Sequence, residues 1–230
     1  MVSDNDAMTL VNQTFAAVLF DNDGTLIDST EVVRRSWGRW AIEQGIDPEQ
    51  LGGFHGVPAA AIVAQVLPDG DHDAALARIV QLEEADTGGI VALPGAAQAL
   101  RSVADRGAVV TSATRKLAEL RLDAAGVPAP AVLVSADDVS TGKPDPEPYL
   151  LAAKRLGVPA QECLVVEDAP GGITAARAAG CAVLAVLSTS ARDDLHADLV
   201  VPDLSHIRFT LNEAGSGVTV LTAETVSAGD

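Results

Sequence analysis

The stretch Ala16–Thr30 reads AAVLFDNDGTLIDST. It is apolar at every position through Phe20, as in a strand covered on both faces, and its centre is Asp21-Asn22-Asp23-Gly24. Three readings compete for two acids and an amide set directly after a buried run: a calcium loop, a polar turn that ends the strand, or a catalytic pair in which one carboxylate attacks and the other moves a proton. The calcium loop fails on position, because an EF-hand needs Gly at position 6 and Glu at position 12, where this chain has Leu26 and Val32. The plain turn stays open on this stretch alone, since Asp, Asn and Gly are ordinary turn formers.

Beyond Gly95 the chain alternates regularly. The spacing predicts a helix over 96–105, a strand over 108–111 and a helix over 116–125 closed by Gly126. A strand over 131–135 leads to a helix over 147–156 stopped by Gly157, and a strand over 163–166 leads to a helix over 173–179 stopped by Gly180. The strand 182–187 follows. Strands that are apolar throughout, separated by helices, predict an α/β fold with a Rossmann-like parallel sheet. Between Asp28 and Leu93 there is no convincing strand, and helices are expected over 31–44, 59–66 and 72–86. Residues 28–93 therefore read as a helical cap inserted after the first strand, over the sheet edge where such folds bind ligands. The core is expected over 15–27 and 94–230, with 1–14 as a flexible leader. Alternation around Ala214–Gly217 predicts a late hairpin.

The composition narrows the partners. Fifteen basic residues against thirty-two acidic ones give a formal charge of −17, which opposes binding to nucleic acid or anionic lipid. Apolar runs are far shorter than the roughly 20 residues of a membrane span. The polar, acidic N-terminus lacks the pattern of a secretory signal, so a cytoplasmic protein is expected, monomeric or weakly dimeric. Cys163 and Cys181 lack CxxC spacing and read as buried reduced thiols, with no disulfide or zinc site.

Three later strands also end in reactive residue types: Thr111-Ser112 after one, Lys143 in the loop after another, and Glu167-Asp168 after a third. Each has a plain alternative, as Ser112 and the Glu167-Asp168 pair can cap helices and Lys143 can be a solvated cation. Together they place a hydroxyl, an ammonium and carboxylates along one sheet edge. That set suits phosphoryl transfer: Asp21 as nucleophile, Asp23 bending back at Gly24 to exchange a proton with the leaving oxygen, and Ser112 and Lys143 on the phosphoryl oxygens. Glu167 and Asp168 would complete a Mg²⁺ site.

The motifs DNDGTLIDS (21–29), VVTSATR (109–115), GKPDPEPYL (142–150) and VVEDAPGGITAARAAGC (165–181) stand in the order found in the haloacid dehalogenase-like hydrolases. The chain resembles that family from Ala17 to about Phe209, and the helical insertion resembles the cap of its first subfamily. The resemblance implies Asp21 as nucleophile, Asp23 as acid/base and carbonyl ligand to Mg²⁺, and Glu167 and Asp168 as metal-side acids. It also implies Lys143 and the Thr111-Ser112-Ala113 turn as phosphate clamps, assisted by Thr25. FHGVP (54–58) and HADLVVPDLSHIRF (196–209) resemble the branch acting on small polyol and sugar phosphates, such as glycerol, hexitol and 2-deoxyglucose phosphates. His55 and Gly56 are the cap residues expected to touch that phosphorylated metabolite, although a lone His is more often structural.

Two departures from the family pattern stand out. Asn22 occupies a position that is usually apolar, with its side chain expected to point away from the reaction. Pro58-Ala59-Ala60 stands where several relatives carry a basic residue. The runner-up reading is a sugar phosphomutase of the β-phosphoglucomutase type, which needs a second phosphate site. A non-enzymatic phospho-receiver fits less well, because it carries its acid pair and phosphorylated Asp on different strands of a shorter chain.

Overall fold

The computed structural model describes residues 10–51 and 57–223. β1 (Thr14–Phe15) and β2 (Ala17–Phe20) open the fold, and β3 (Ile27–Asp28) follows the Asp21–Gly24 turn. Three helices run next, α1 (Thr30–Gln44), α2 (Ala59–Val66) and α3 (His72–Ala85), before β4 (Val91–Ala92) pairs antiparallel with β3. Alternation then sets in: α4 (Ala96–Val103), β5 (Gly107–Val110), α5 (Arg115–Ala124), β6 (Val132–Val134), α6 (Glu147–Leu156), β7 (Cys163–Glu167), α7 (Pro170–Ala178) and β8 (Ala182–Val186). β9 (Leu199–Val201), β10 (Ile207–Leu211) and β11 (Val218–Thr222) complete the chain.

The main sheet has the order β6-β5-β2-β7-β8-β9, parallel at every pairing. Successive side chains of its strands alternate between two layers. Val18, Phe20, Val109 and Val166 pack with Leu100 of α4 and Leu122 of α5, whereas Leu19, Val110 and Val165 pack with Tyr149 of α6 and Ile173 of α7. Both faces of β2 are buried, which is why its sequence is apolar throughout. Because β2 lies between β5 and β7, Asp21 leaves the sheet beside the ends of both neighbours. Its N–H donates to Val166 O at 2.9 Å.

The helical stretch forms a third apolar cluster of its own, in which Trp37, Trp40, Ile62, Val63, Ile79 and Leu82 are buried together. Trp40 also donates its indole N–H to Ala75 O at 2.8 Å, tying α1 to α3. Asp71 caps α3, accepting from the Ala74 N–H. α3 packs in turn against α5 of the core.

Several local expectations shift. The helix expected over 96–105 ends at Val103, where Ala104 takes a φ of 46°. α7 begins at Pro170 rather than Ile173, running through Gly171 and Gly172. The two-residue strands β1, β3 and β4 and the three-residue β9 are too short to leave a period in the sequence. Order also begins ahead of residue 15: Leu10 is buried, and Thr14 pairs with Thr219. The expected hairpin forms from β10 and β11.

Candidate active site

The site grows from the turns that follow β2, β5, β7 and β8. After β2 the chain reverses within four residues, and the Asn22 carbonyl accepts from the N–H groups of Thr25, Leu26 and Ile27. Gly24 sits at φ 91°, and a Cβ there would fall 2.2 Å from an Asp168 carboxylate oxygen. Glycine is required on both counts. The turn thus brings Asp21 and Asp168 together at the sheet edge.

Lys143 reaches this edge from the loop before α6 and is buried. Its Nζ donates to Asp21 Oδ1 at 2.6 Å, Glu167 Oε1 at 2.8 Å and Val110 O at 3.0 Å, spending all three N–H bonds. Burial works against the ammonium, yet the carboxylates of Asp21 and Glu167 outweigh it and hold its pKa above the usual lysine range. Lys143 therefore fixes the Asp21 carboxylate, with every one of its donors in use.

Asp21, Glu167 and Asp168 each present a carboxylate oxygen within 4.8 Å of the others. On protein charges alone, burial raises Asp21 well above the carboxylate range, with Lys143 opposing. Burial and then the Glu167 charge push Asp168 up to about 7. Three buried acids facing one ammonium are a hard-oxygen donor set in excess of its neutralising charge, and they fit a divalent cation. Glu167 is the most committed of the three. Its Oε1 accepts from Lys143 and from Tyr149 Oη at 2.7 Å, and its Oε2 from the N–H groups of Asp168 and Ala169 at 3.0 and 3.2 Å. A cation that reached Glu167 would have to displace one of these donors. Asp168 is oriented by Thr25 Oγ1 at 3.2 Å and by the Thr189 hydroxyl.

Asp23 stands apart from that cluster, on the wall of a cavity of about 600 Å³. Ser29 Oγ and Arg121 Nη1 donate to its Oδ1 at 2.7 and 2.9 Å, and Asn22 Nδ2 donates to its Oδ2 at 3.2 Å. Asn22 is fully buried and does not line the cavity, yet through that amide it meets Asp23. The cavity opens over Asp21, Asp23, Thr111, Ser112 and Ala113 and is roofed by Val33, Arg34 and Trp37 of α1, Ile62 of α2 and Glu83 of α3. Its size falls within the roughly 300–1,000 Å³ of small-molecule pockets. Thr25 does not line it; its hydroxyl is spent on Asp168. His55 and Gly56 lie outside the described residues.

A family model described as haloacid dehalogenase-like hydrolase matches residues 15–180, which include the turns after β2, β5 and β7 and the loop that carries Lys143. The chain belongs to that family. Hexitol phosphatase A of Escherichia coli (strain K12) is 42% identical to this haloacid dehalogenase-like hydrolase over 205 residues, covering 86% of this chain and 95% of the relative. Glycerol-1-phosphate phosphohydrolase 2 of Saccharomyces cerevisiae is 32% identical over 211 residues, covering 84% of each. Among solved structures, a hydrolase from Pseudomonas syringae superposes with a TM-score of 0.73 at 28% identity, covering 82% of this chain and 94% of that one. No helix among the described residues is long and apolar enough to cross a membrane.

Five residues around the site escaped the sequence reading: Ser29, Glu83, Arg121, Tyr149 and Thr189. Arg121 left a signal, because it falls four residues after Leu117 and beside Leu122 on the buried stripe of α5. Glu83 does the same beside Leu82 on α3. A charge inside an apolar stripe calls for a buried partner.

Proposed function

We propose that this haloacid dehalogenase-like hydrolase is a Mg²⁺-dependent phosphatase of small sugar or polyol phosphate monoesters, working through an aspartyl-phosphate. The observation that carries the reading is the pairing of a buried three-acid cluster with a separate acid, Asp23, on the wall of one cavity. The relatives named for hexitol and glycerol phosphates support the substrate class.

An Asp21 carboxylate oxygen attacks phosphorus, the bond from phosphorus to the alcohol oxygen breaks, and Asp23 gives that oxygen its proton. Asp23 then takes a proton from water, whose oxygen attacks the same phosphorus and frees Asp21 and inorganic phosphate. Lys143 holds Asp21 in place and offsets its charge, while Ser112 and the adjoining backbone of the Thr111–Ala113 turn receive the phosphoryl oxygens. Asp21, Asp168 and the Asp23 carbonyl would hold Mg²⁺, with Glu167 behind them; when bound it neutralises charge between the two anions.

The mutase reading has less support. Among the described residues, the cations lining the cavity are Arg34, paired with Glu31 at 2.8 Å, and Arg121, paired with Asp23 and Glu83. Arg121 is committed on both sides, and Arg34 alone, in an exposed pair, would have to serve a second phosphate.

Release of inorganic phosphate from a panel of hexitol, glycerol and 2-deoxyglucose phosphates, with and without Mg²⁺, tests the reading. Wild type should release phosphate only with the metal, and a folded Asp21→Asn variant should release none. Equal release by both proteins, or none from wild type across the panel, refutes it.

A further inference from the structure

Arg121 lies in the core yet faces the helical layer. Its side chain is 5% exposed, and its guanidinium forks between two carboxylates, Nη1 to Asp23 at 2.9 Å and Nη2 to Glu83 at 3.0 Å. Glu83 belongs to α3 and is itself buried. One arginine thus joins the turn after β2 to a helix that roofs the cavity.

Stability does not account for this arrangement. A buried ion triad gives up so much hydration that well-packed apolar side chains of the same volume commonly serve folding as well or better. Arg121 also leaves its Nε–H buried without an acceptor, an added cost that an apolar residue would avoid. What an apolar residue would not do is fix a carboxylate. Asp23 is a short side chain on a turn, and its remaining donors are the neutral groups of Ser29 and Asn22. A planar, charged fork anchored at its far end by Glu83 restrains where Asp23 stands on the cavity wall.

We infer that Arg121 is a positioning residue for Asp23, and that its pairing with Glu83 makes the placement of the proton carrier depend on the seating of α3 against the core. The inference rests on the reading of Asp23 as acid/base. Placement of that group matters most when the leaving group is a poor one, which departs only with a proton, and least for an aryl phosphate whose phenolate leaves without one.

The test compares Arg121→Ala, Arg121→Lys and Glu83→Gln with wild type. In the first turnover, Arg121→Ala should slow alcohol release from an alkyl phosphate about 100-fold and phenolate release from an aryl phosphate less than about threefold, with KM changed little. Arg121→Lys should recover part of the loss, because an ammonium can meet one carboxylate but not both. Glu83→Gln should show a smaller loss of the same kind. Equal slowing of both substrates, or no slowing of either, overturns the inference. Amide exchange over Leu82–Ala85 gives a reading that needs no turnover: it should quicken in Arg121→Ala, and unchanged exchange refutes the link to α3. A wild type that releases no phosphate brings down the phosphatase reading, while exchange still decides the Arg121–Glu83 link. Should Arg121→Ala fail to fold, Arg121→Lys carries both measurements.

Discussion

Replacing Gly172 by alanine sets two effects of known sign against each other. Alanine is the better helix former, worth about 1 kcal/mol inside a helix, and the backbone at 172 does not demand a positive φ. Against this, a Cβ there would fall 1.6 Å from Glu167 Oε1 and 2.0 Å from its Cδ. The carboxylate must swing away. It cannot do so freely, because it holds Lys143, Tyr149 and the N–H groups of Asp168 and Ala169. Hydrogen bonds to a charged group contribute about 1.5–3 kcal/mol each, so losing two of the four costs about 3–6 kcal/mol. The clash outweighs the helix gain, and Gly172→Ala should lose about 2–5 kcal/mol net. Gly171, one residue earlier, has nothing within 4 Å of its would-be Cβ. Gly171→Ala should therefore be neutral or more stable by up to about 1 kcal/mol. Urea unfolding of both variants beside wild type measures the contrast. A Gly172→Ala protein as stable as Gly171→Ala would refute the packing of α7 against Glu167.

Metal affinity should depend on pH, because the cation competes with protons for the acid cluster. Asp168, pushed up to about 7 by burial and Glu167, is protonated below that value and ionised above it. Affinity for Mg²⁺ or Mn²⁺, read by calorimetry, should fall about tenfold per pH unit below 7 for each proton displaced and level off above it. The stability of the protein alone should run the other way. A raised carboxylate pKa favours the fold most below the unfolded value near 4 and loses that contribution as pH rises toward 7, which unfolding in the absence of metal would detect. Thr189→Ala removes a hydroxyl that orients Asp168, and should weaken metal binding about tenfold while leaving the melting temperature nearly unchanged. An unaltered affinity in that variant would show that Thr25 alone suffices.

The sheet and its acids were legible because burial on both faces leaves a continuous apolar signature. β2, β5 and β7 carry it, and Asp21 and Glu167 stand at strand ends where polarity returns abruptly, while Lys143 comes from the loop between β6 and α6. The two-residue β1, β3 and β4 carry no such signature, and β9, three residues at the sheet edge and half-buried at Leu199 and Val200, carries a weak one. Side-chain direction was harder still. Asn22 falls in a turn, where strand alternation no longer sets side-chain direction. Its amide meets Asp23. Arg121 and Glu83 lie within the buried stripes of α5 and α3, and helix length and end signals do not show which charges fall inside such a stripe.

The three donors of Lys143 end on groups from three adjacent strands: the carbonyl of Val110 at the end of β5, the acid that follows β2, and Glu167 closing β7. The site is therefore portable only with its scaffold. Copying the acids and the lysine onto another parallel sheet would leave the ammonium short of partners unless three neighbouring strands stopped at matching heights, in that order. Strand order, as much as residue identity, is what such a transplant would have to reproduce.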